Sequence, residues 1–158
     1  CWGNGRAGQL GMAHIGYIDK KSTPVKVDRP AGLSPSDKVK KVEVGIWHSC
    51  MLMNSGRVFC WGTNTYGHLG ANLALGALPN NRSVKPIPIL VGTGGIPAGE
   101  RIIDLAAGAN RGCAVVENGR SYCWGLNDAG QIGDGTHIDA RAPTESLFLR
   151  PTQNRYIY

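Results

Sequence analysis

Short apolar runs separated by turn residues set the pattern of this chain. Cys50-Met51-Leu52-Met53 leads into Asn54-Ser55-Gly56 and then into Arg57-Val58-Phe59-Cys60-Trp61. The same order returns as Cys113-Ala114-Val115-Val116, Glu117-Asn118-Gly119 and Arg120-Ser121-Tyr122-Cys123-Trp124. A Ser-Gly or Asn-Gly pair between apolar runs predicts a β-hairpin. Residues 39–45 and 101–108 precede these hairpins, are rich in β-branched side chains and stop at Gly, so each predicts one more strand. A fourth strand is predicted at residues 24–27, 86–91 and, in the last copy, 143–144 followed by 147–149. Prolines in these segments assign them to a sheet edge, where a missing N–H leaves no gap in a central ladder. The expectation is therefore an all-β chain built from units of four short antiparallel strands.

A motif organises these units. Cys60-Trp61-Gly62-Thr63-Asn64-Thr65-Tyr66-Gly67-His68-Leu69-Gly70 has counterparts that start at Cys1 and Cys123. Trp2, Gly3, Leu10 and Gly11 match Trp61, Gly62, Leu69 and Gly70, and Trp124, Gly125, Asn127, Gly130, Ile132 and Gly133 match again. The first copy departs from the pattern, with Gly5 where Asn64 and Asn127 stand and Asn4 one place earlier. Leu10, Leu69 and Ile132 each lie between two glycines, which reads as a tight loop with one buried anchor. Starts at residues 1, 60 and 123 give a period of about 60, and four-stranded units repeated radially are β-propeller blades. The chain opens inside a motif and holds two repeats and a piece of a third, so residues 1–158 are expected to be one partial propeller of a longer protein.

Composition agrees. The 158 residues include 23 Gly and 9 Pro, and no apolar run reaches the ~20 residues of a membrane-spanning helix. Much of the net charge of +6 lies in residues 19–41, where Lys20, Lys21, Lys26, Arg29, Lys38, Lys40 and Lys41 face Asp19, Asp28 and Asp37. Such a segment is either a contact region for an acidic protein surface or a solvated loop. No aromatic side chains alternate with the lysines, which argues against nucleic acid. Gly92-Thr93-Gly94-Gly95 lacks the Lys-Ser/Thr of a phosphate loop. No cofactor is expected.

Cys50 and Cys60 fall opposite one another when counted outward from the hairpin turn, as do Cys113 and Cys123. Directly opposed residues are within reach of a disulfide. Cys1 occupies the position of Cys60, which puts its counterpart upstream of the chain. Two bonded pairs imply an oxidising setting, extracellular or at the cell surface; free thiols would return the chain to the cytoplasm or nucleus. His48 and His68 flank the first pair, but Arg111 and Gln131 replace them in the second, so a metal site is not expected.

Gly45-Ile46-Trp47-His48-Ser49, the hairpin, and the Trp-Gly-x-Asn-x-x-Gly-His-Leu-Gly and Trp-Gly-x-Asn-x-x-Gly-Gln-Ile-Gly stretches resemble the regulator of chromosome condensation repeat family over nearly all of residues 1–145. Gly108-Ala109-Asn110-Arg111-Gly112 departs by losing the His and the Ser. The Cys before Trp-Gly resembles a version found in bacterial exported or surface proteins. The resemblance implies a seven-bladed ring of four-stranded blades whose face loops bind proteins. One eukaryotic branch exchanges guanine nucleotide on a small GTPase and binds chromatin, and some secreted bacterial members inhibit enzymes. The reading that follows is a non-catalytic protein-binding module with an unidentified protein partner; the alternative is an exchange factor or chromatin-associated regulator. Trp47 and Tyr66, with Lys38, Lys40 and Lys41, are the candidate contact residues, and residues 12–38 and 71–100 the candidate contact regions. His48 is expected to make hydrogen bonds inside its blade. His14, His48, His68 and His137 are the candidates for an enzymatic reading, for which no nucleophile motif is present. Two repeats cannot close a ring, so exposed blade faces and strand edges are expected to promote self-association.

Overall fold

The computed structural model describes residues 1–12 and 19–147. The strands β1 (Gly3–Asn4) and β2 (Lys20–Lys21) form a small antiparallel pair. The strands β3 (Val39–Val44), β4 (His48–Met53), β5 (Val58–Thr63) and β6 (Arg82–Pro88) form a four-stranded antiparallel sheet in sequential order. A second such sheet contains β7 (Ile102–Ala107), β8 (Arg111–Val116), β9 (Ser121–Gly125) and β10 (Ala140–Glu145). The sheets repeat at an interval of 63 residues, as the Val39/Ile102 and Cys50/Cys113 positions show.

Local chemistry explains the hairpins. The Gly56 N–H donates to the Met53 carbonyl at 2.9 Å, and the Met53 N–H donates to the Arg57 carbonyl at 2.8 Å. Gly56 has φ of 86°, and Gly119 repeats this at 85°. A turn closed by a left-handed glycine sets the register of the three-residue loop. That register places Cys50 opposite Cys60 and Cys113 opposite Cys123. Both pairs are bonded, with Cα atoms 4.1 Å apart. Cys1 is a free thiol.

All of β4 and most of β5 are buried, because both faces of the sheet centre are covered. On one face Cys50, Leu52, Val58 and Cys60 join Ile102, Leu105, Ala114, Val116, Tyr122 and Trp124 of the next sheet in a shared core. On the other, Met51, Met53, Phe59 and Trp61 pack with Cys1, Val27 and Leu33.

The glycine-rich motif forms the joint between units. The Gly67 N–H reaches the Asn64 carbonyl at 3.1 Å and the Gly70 N–H reaches the Gly67 carbonyl at 2.9 Å; residues 5–11 and 127–133 repeat the pattern. The buried Asn64 and Asn127 brace it, their Oδ1 atoms accepting the Leu69 and Ile132 N–H groups at 3.1 and 2.8 Å. Leu10, Leu69 and Ile132 are buried inside their loops. The first two loops each receive the tryptophan of the following sheet. Trp61 Nε1 donates to the Gln9 carbonyl at 2.8 Å, and Trp124 Nε1 to the His68 carbonyl at 2.9 Å. A Cβ on Gly70 would lie 3.1 Å from the Trp124 ring, so the ring rests on bare backbone.

The outer strands differ from expectation. Residues 24–27 form no strand; Val25 exchanges backbone bonds with Cys1, at 2.8 and 2.9 Å. The pairing instead involves the polar β2, opposite Gly3 and Asn4. β6 begins at Arg82, because Ser83 and Arg82 pair with Gly62 and Thr63 past an irregularity, and it ends at Pro88. β10 begins at Ala140 opposite Gly125 and ends at Glu145. Leu147 lies outside that strand, and residues 148–149 lie outside the described residues.

Candidate functional site

The antiparallel order places the β3–β4, β5–β6, β7–β8 and β9–β10 connections at one end of the sheets. The Ile46 N–H bonds to the Ala109 carbonyl there, and the Asn72 N–H to the Arg141 carbonyl. Trp47 and Tyr66 meet at this end in a groove of about 540 Å³, lined also by Arg6, Thr63, Thr65, His68 and Asn110. Trp47 is 44% exposed and Tyr66 38%. Exposed Ile46, Leu75 and Ile138 sit in connections at the same end. Arg6 comes from the β1–β2 connection and Asn110 from the β7–β8 connection, so three successive sheets build one groove. Repeat comparison offers a signal for part of it: Trp47 and Tyr66 stand where the next unit has Asn110 and Ala129.

Two histidines underlie the aromatic pair. The rings of Tyr66 and His68 are 5.5 Å apart, and those of His68 and His48 are 5.2 Å apart. His68 Nε2 lies 3.3 Å from Asn110 Oδ1, and its Nδ1 faces the Tyr66 N–H at 3.4 Å. His48 is fully buried, and its ring nitrogens make no hydrogen bond of good geometry; the Arg111 backbone is the polar group that favours its charged form. Its ring packs between His68 and the bare backbone of Gly45, where a side chain would collide with it. Burial, then the neighbouring His68, depress its pKa to about 4. Burial also lowers His68, opposed by the Asn110 bond and the charge of Asp139.

The lysines do not join the groove. Lys41 Nζ binds Asp104 Oδ1 at 2.9 Å and the Leu105 carbonyl at 2.7 Å, and Lys40 Nζ binds the Ile103 carbonyl at 2.6 Å. Both therefore tie β3 to β7. Lys38 contacts the Pro35 carbonyl at 3.4 Å, at the opposite end of the sheets. There Arg29 closes the basic segment on itself, through the Ser34 and Asp37 carbonyls, and Asp37 accepts from Ser55. Residues 71–81 and 89–101 likewise fall at opposite ends of β6, so the stretch 71–100 does not act as one region. His14 lies outside the described residues. His137 lies beside Gly130, in the β9–β10 connection. No cluster of three metal-binding side chains occurs among the described residues, and no described helix is long and apolar enough to cross a membrane.

Known proteins share this arrangement. The sequence pattern of the regulator of chromosome condensation (RCC1) repeat matches residues 1–52 and 55–115, and a second pattern for the same repeat matches residues 39–67 and 102–131. The E3 ubiquitin-protein ligase HERC2 of Homo sapiens is 36% identical over 135 residues, which is 85% of this chain and 2% of HERC2. The probable E3 ubiquitin-protein ligase HERC6 of Homo sapiens is 32% identical over 84% of this chain and 11% of its own length. The chain thus spans a small part of these relatives. Among solved structures, human WBSCR16 matches with a TM-score of 0.76 and 22% identity, covering 91% of this chain and 33% of that one. The structure of Kap60 bound to yeast RCC1 (Prp20) matches at 0.74 and 21%, over 96% of this chain and 32% of that one. At these identities the likeness establishes the fold, an all-β propeller architecture of antiparallel four-stranded blades. With more than half of its length matched, the chain belongs to the regulator of chromosome condensation repeat family.

Proposed function

We propose that this chain is a non-catalytic protein-recognition part of a repeat propeller, and that it holds an apolar segment of a protein partner in the groove of Trp47 and Tyr66. The observation that carries this reading is the convergence of two half-exposed aromatic side chains from one blade with Arg6 and Asn110 of its neighbours. Aromatic residues and arginine dominate the energetics of protein interfaces, and loops on a rigid frame suit recognition. Coverage of about a third of the solved propeller chains supports reading residues 1–158 as one part of a closed, seven-bladed ring. The test is retention of cell proteins by the wild-type chain and by a Trp47→Ala/Tyr66→Ala variant of unchanged melting temperature. At least one protein is expected to lose about tenfold in affinity or more; equal retention would overturn the reading.

The structure of Prp20p from Saccharomyces cerevisiae was described with its binding properties to Gsp1p and histones. A small GTPase is accordingly included among the candidate partners, with nucleotide release measured in the same binding experiment. Acceleration of release would replace the non-catalytic reading by the exchange-factor one.

An oxidising, exported setting is proposed alongside, supported by the two cysteine pairs at bonding distance. Alkylation of the chain as recovered from its own cells is expected to label none of Cys50, Cys60, Cys113 and Cys123 before reduction. Labelling of these thiols would assign the chain to the cytoplasm or nucleus.

A further inference from the structure

The three glycine-rich loops differ at one capping side chain. In the first, Gln9 Oε1 accepts the Ala7 N–H at 2.8 Å; in the third, Gln131 Oε1 accepts the Ala129 N–H at 2.7 Å. The middle loop carries Tyr66 in place of the alanine and His68 in place of the glutamine. Here Nδ1 of the imidazole takes the place of the amide oxygen, facing the Tyr66 N–H at 3.4 Å. A ring that accepts at Nδ1 carries its proton on Nε2. Nε2 is the atom that meets Asn110 Oδ1 at 3.3 Å, so one neutral tautomer satisfies both contacts.

Protonation removes the acceptor. With hydrogens on both nitrogens, Nδ1–H points at the Tyr66 N–H, and two donors oppose each other. A glutamine cannot do this at any ordinary pH, so the first and third loops stay capped. We propose that His68 is a proton-operated clamp on the loop that presents Tyr66: neutral His68 holds the groove in shape, and protonated His68 releases the Tyr66 backbone. The proposal adds regulation to the groove and rests on that groove being the contact region.

The surroundings define the direction and range. The β4 side presents His48, whose charge would oppose that of His68. The β9–β10 connection brings Asp139, which favours the charged form, and the β7–β8 connection brings neutral Asn110 with Arg111 beside it. Arg6 lines the groove from the first loop. Burial lowers His68 from 6.5, so release falls on the acid side of the ordinary histidine range. His48, at about 4, stays neutral until more acid conditions.

The sister loops supply both the control and the conservative variant. Amide hydrogen exchange is read at Tyr66 and Ala129 in the same 158-residue chain between pH 7.5 and pH 5, each rate corrected for its intrinsic pH dependence. Protection at Tyr66 is expected to fall about fivefold relative to Ala129, the loss of one hydrogen bond. His68→Gln, which installs the residue of the other two loops, is expected to abolish that fall, whereas His48→Phe keeps it. The proposal is overturned if Tyr66 and Ala129 move together, if His68→Gln leaves the fall intact, or if His48→Phe alone removes it. This readout needs no partner protein. A failed clamp therefore leaves the binding test standing, and a failed binding test leaves the clamp measurable.

Discussion

At the scale of single residues, the sharpest physical statement concerns His48. A fully buried imidazole beside a second histidine resists protonation, and its folded-state pKa of about 4 lies below the 6.5 of an ordinary histidine. Between those values the unfolded chain binds a proton that the folded chain does not. Stability therefore falls as pH drops through that window, by about 3 kcal/mol at pH 4, and is fully regained above about 6.5. Urea denaturation at pH 7 and at pH 4.5 should show the loss, and His48→Phe should lessen it, leaving the share of His68. An unchanged slope in that variant would assign the pH dependence to other groups. The burial of His48 against a second histidine was not legible from the chain. Its position before a hairpin reads as a hydrogen-bonding site, and only the fold brings the His68 ring and the bare Gly45 backbone against it.

At the scale of elements, the joint between blades is a tryptophan seated on a glycine. Gly70 has φ of 61° and its absent Cβ faces the Trp124 ring at 3.1 Å, while the Trp124 Nε1 bond to the His68 carbonyl fixes the ring's edge. A β-branched residue here meets two penalties, left-handed backbone strain and displacement of the ring. Gly133 shares the left-handed φ, at 75°, but its absent Cβ faces the Ser146 hydroxyl at 2.7 Å, a single atom that can rotate away where an indole ring cannot. Gly70→Val is thus expected to destabilise by about 3 kcal/mol, and Gly133→Val by visibly less. Comparison of their urea midpoints checks this, and equal losses would mean that the ring contact contributes nothing. The hairpins were legible because their register depends on a local turn. β2 was not, since nothing about Lys20 and Lys21 signals a strand until Gly3 and Asn4 are brought opposite.

At the scale of the molecule, repeat-equivalent positions experience different surroundings. Ile102 and Leu105 are 2% and 1% exposed because the preceding sheet covers them; Val39 and Val42, at the matching positions of β3, are 51% and 50% exposed. Val44, Ile46 and Trp2 extend this apolar face. The same pattern of residues is therefore core in one blade and surface in the other, according to what packs against it. The placement of the lysines has a similar cause. Lys40 and Lys41 read as free charge along the chain, yet β7, more than 60 residues away, supplies their carbonyl and carboxylate partners.

The all-β class, the four-stranded unit, the repeat and the cysteine register were legible along the chain. All of these follow from short apolar runs, turn glycines, a recurring motif and short-range counting. Tertiary structure alone decided which loops share an end of the sheets, that Trp47 and Tyr66 meet there with Arg6 and Asn110, and that a histidine replaces a glutamine cap beneath them. Contacts between successive blades create these features, and their partners lie about 40 to 60 residues apart along the chain. No local pattern records such distances; the stacking of one repeat on the next sets them.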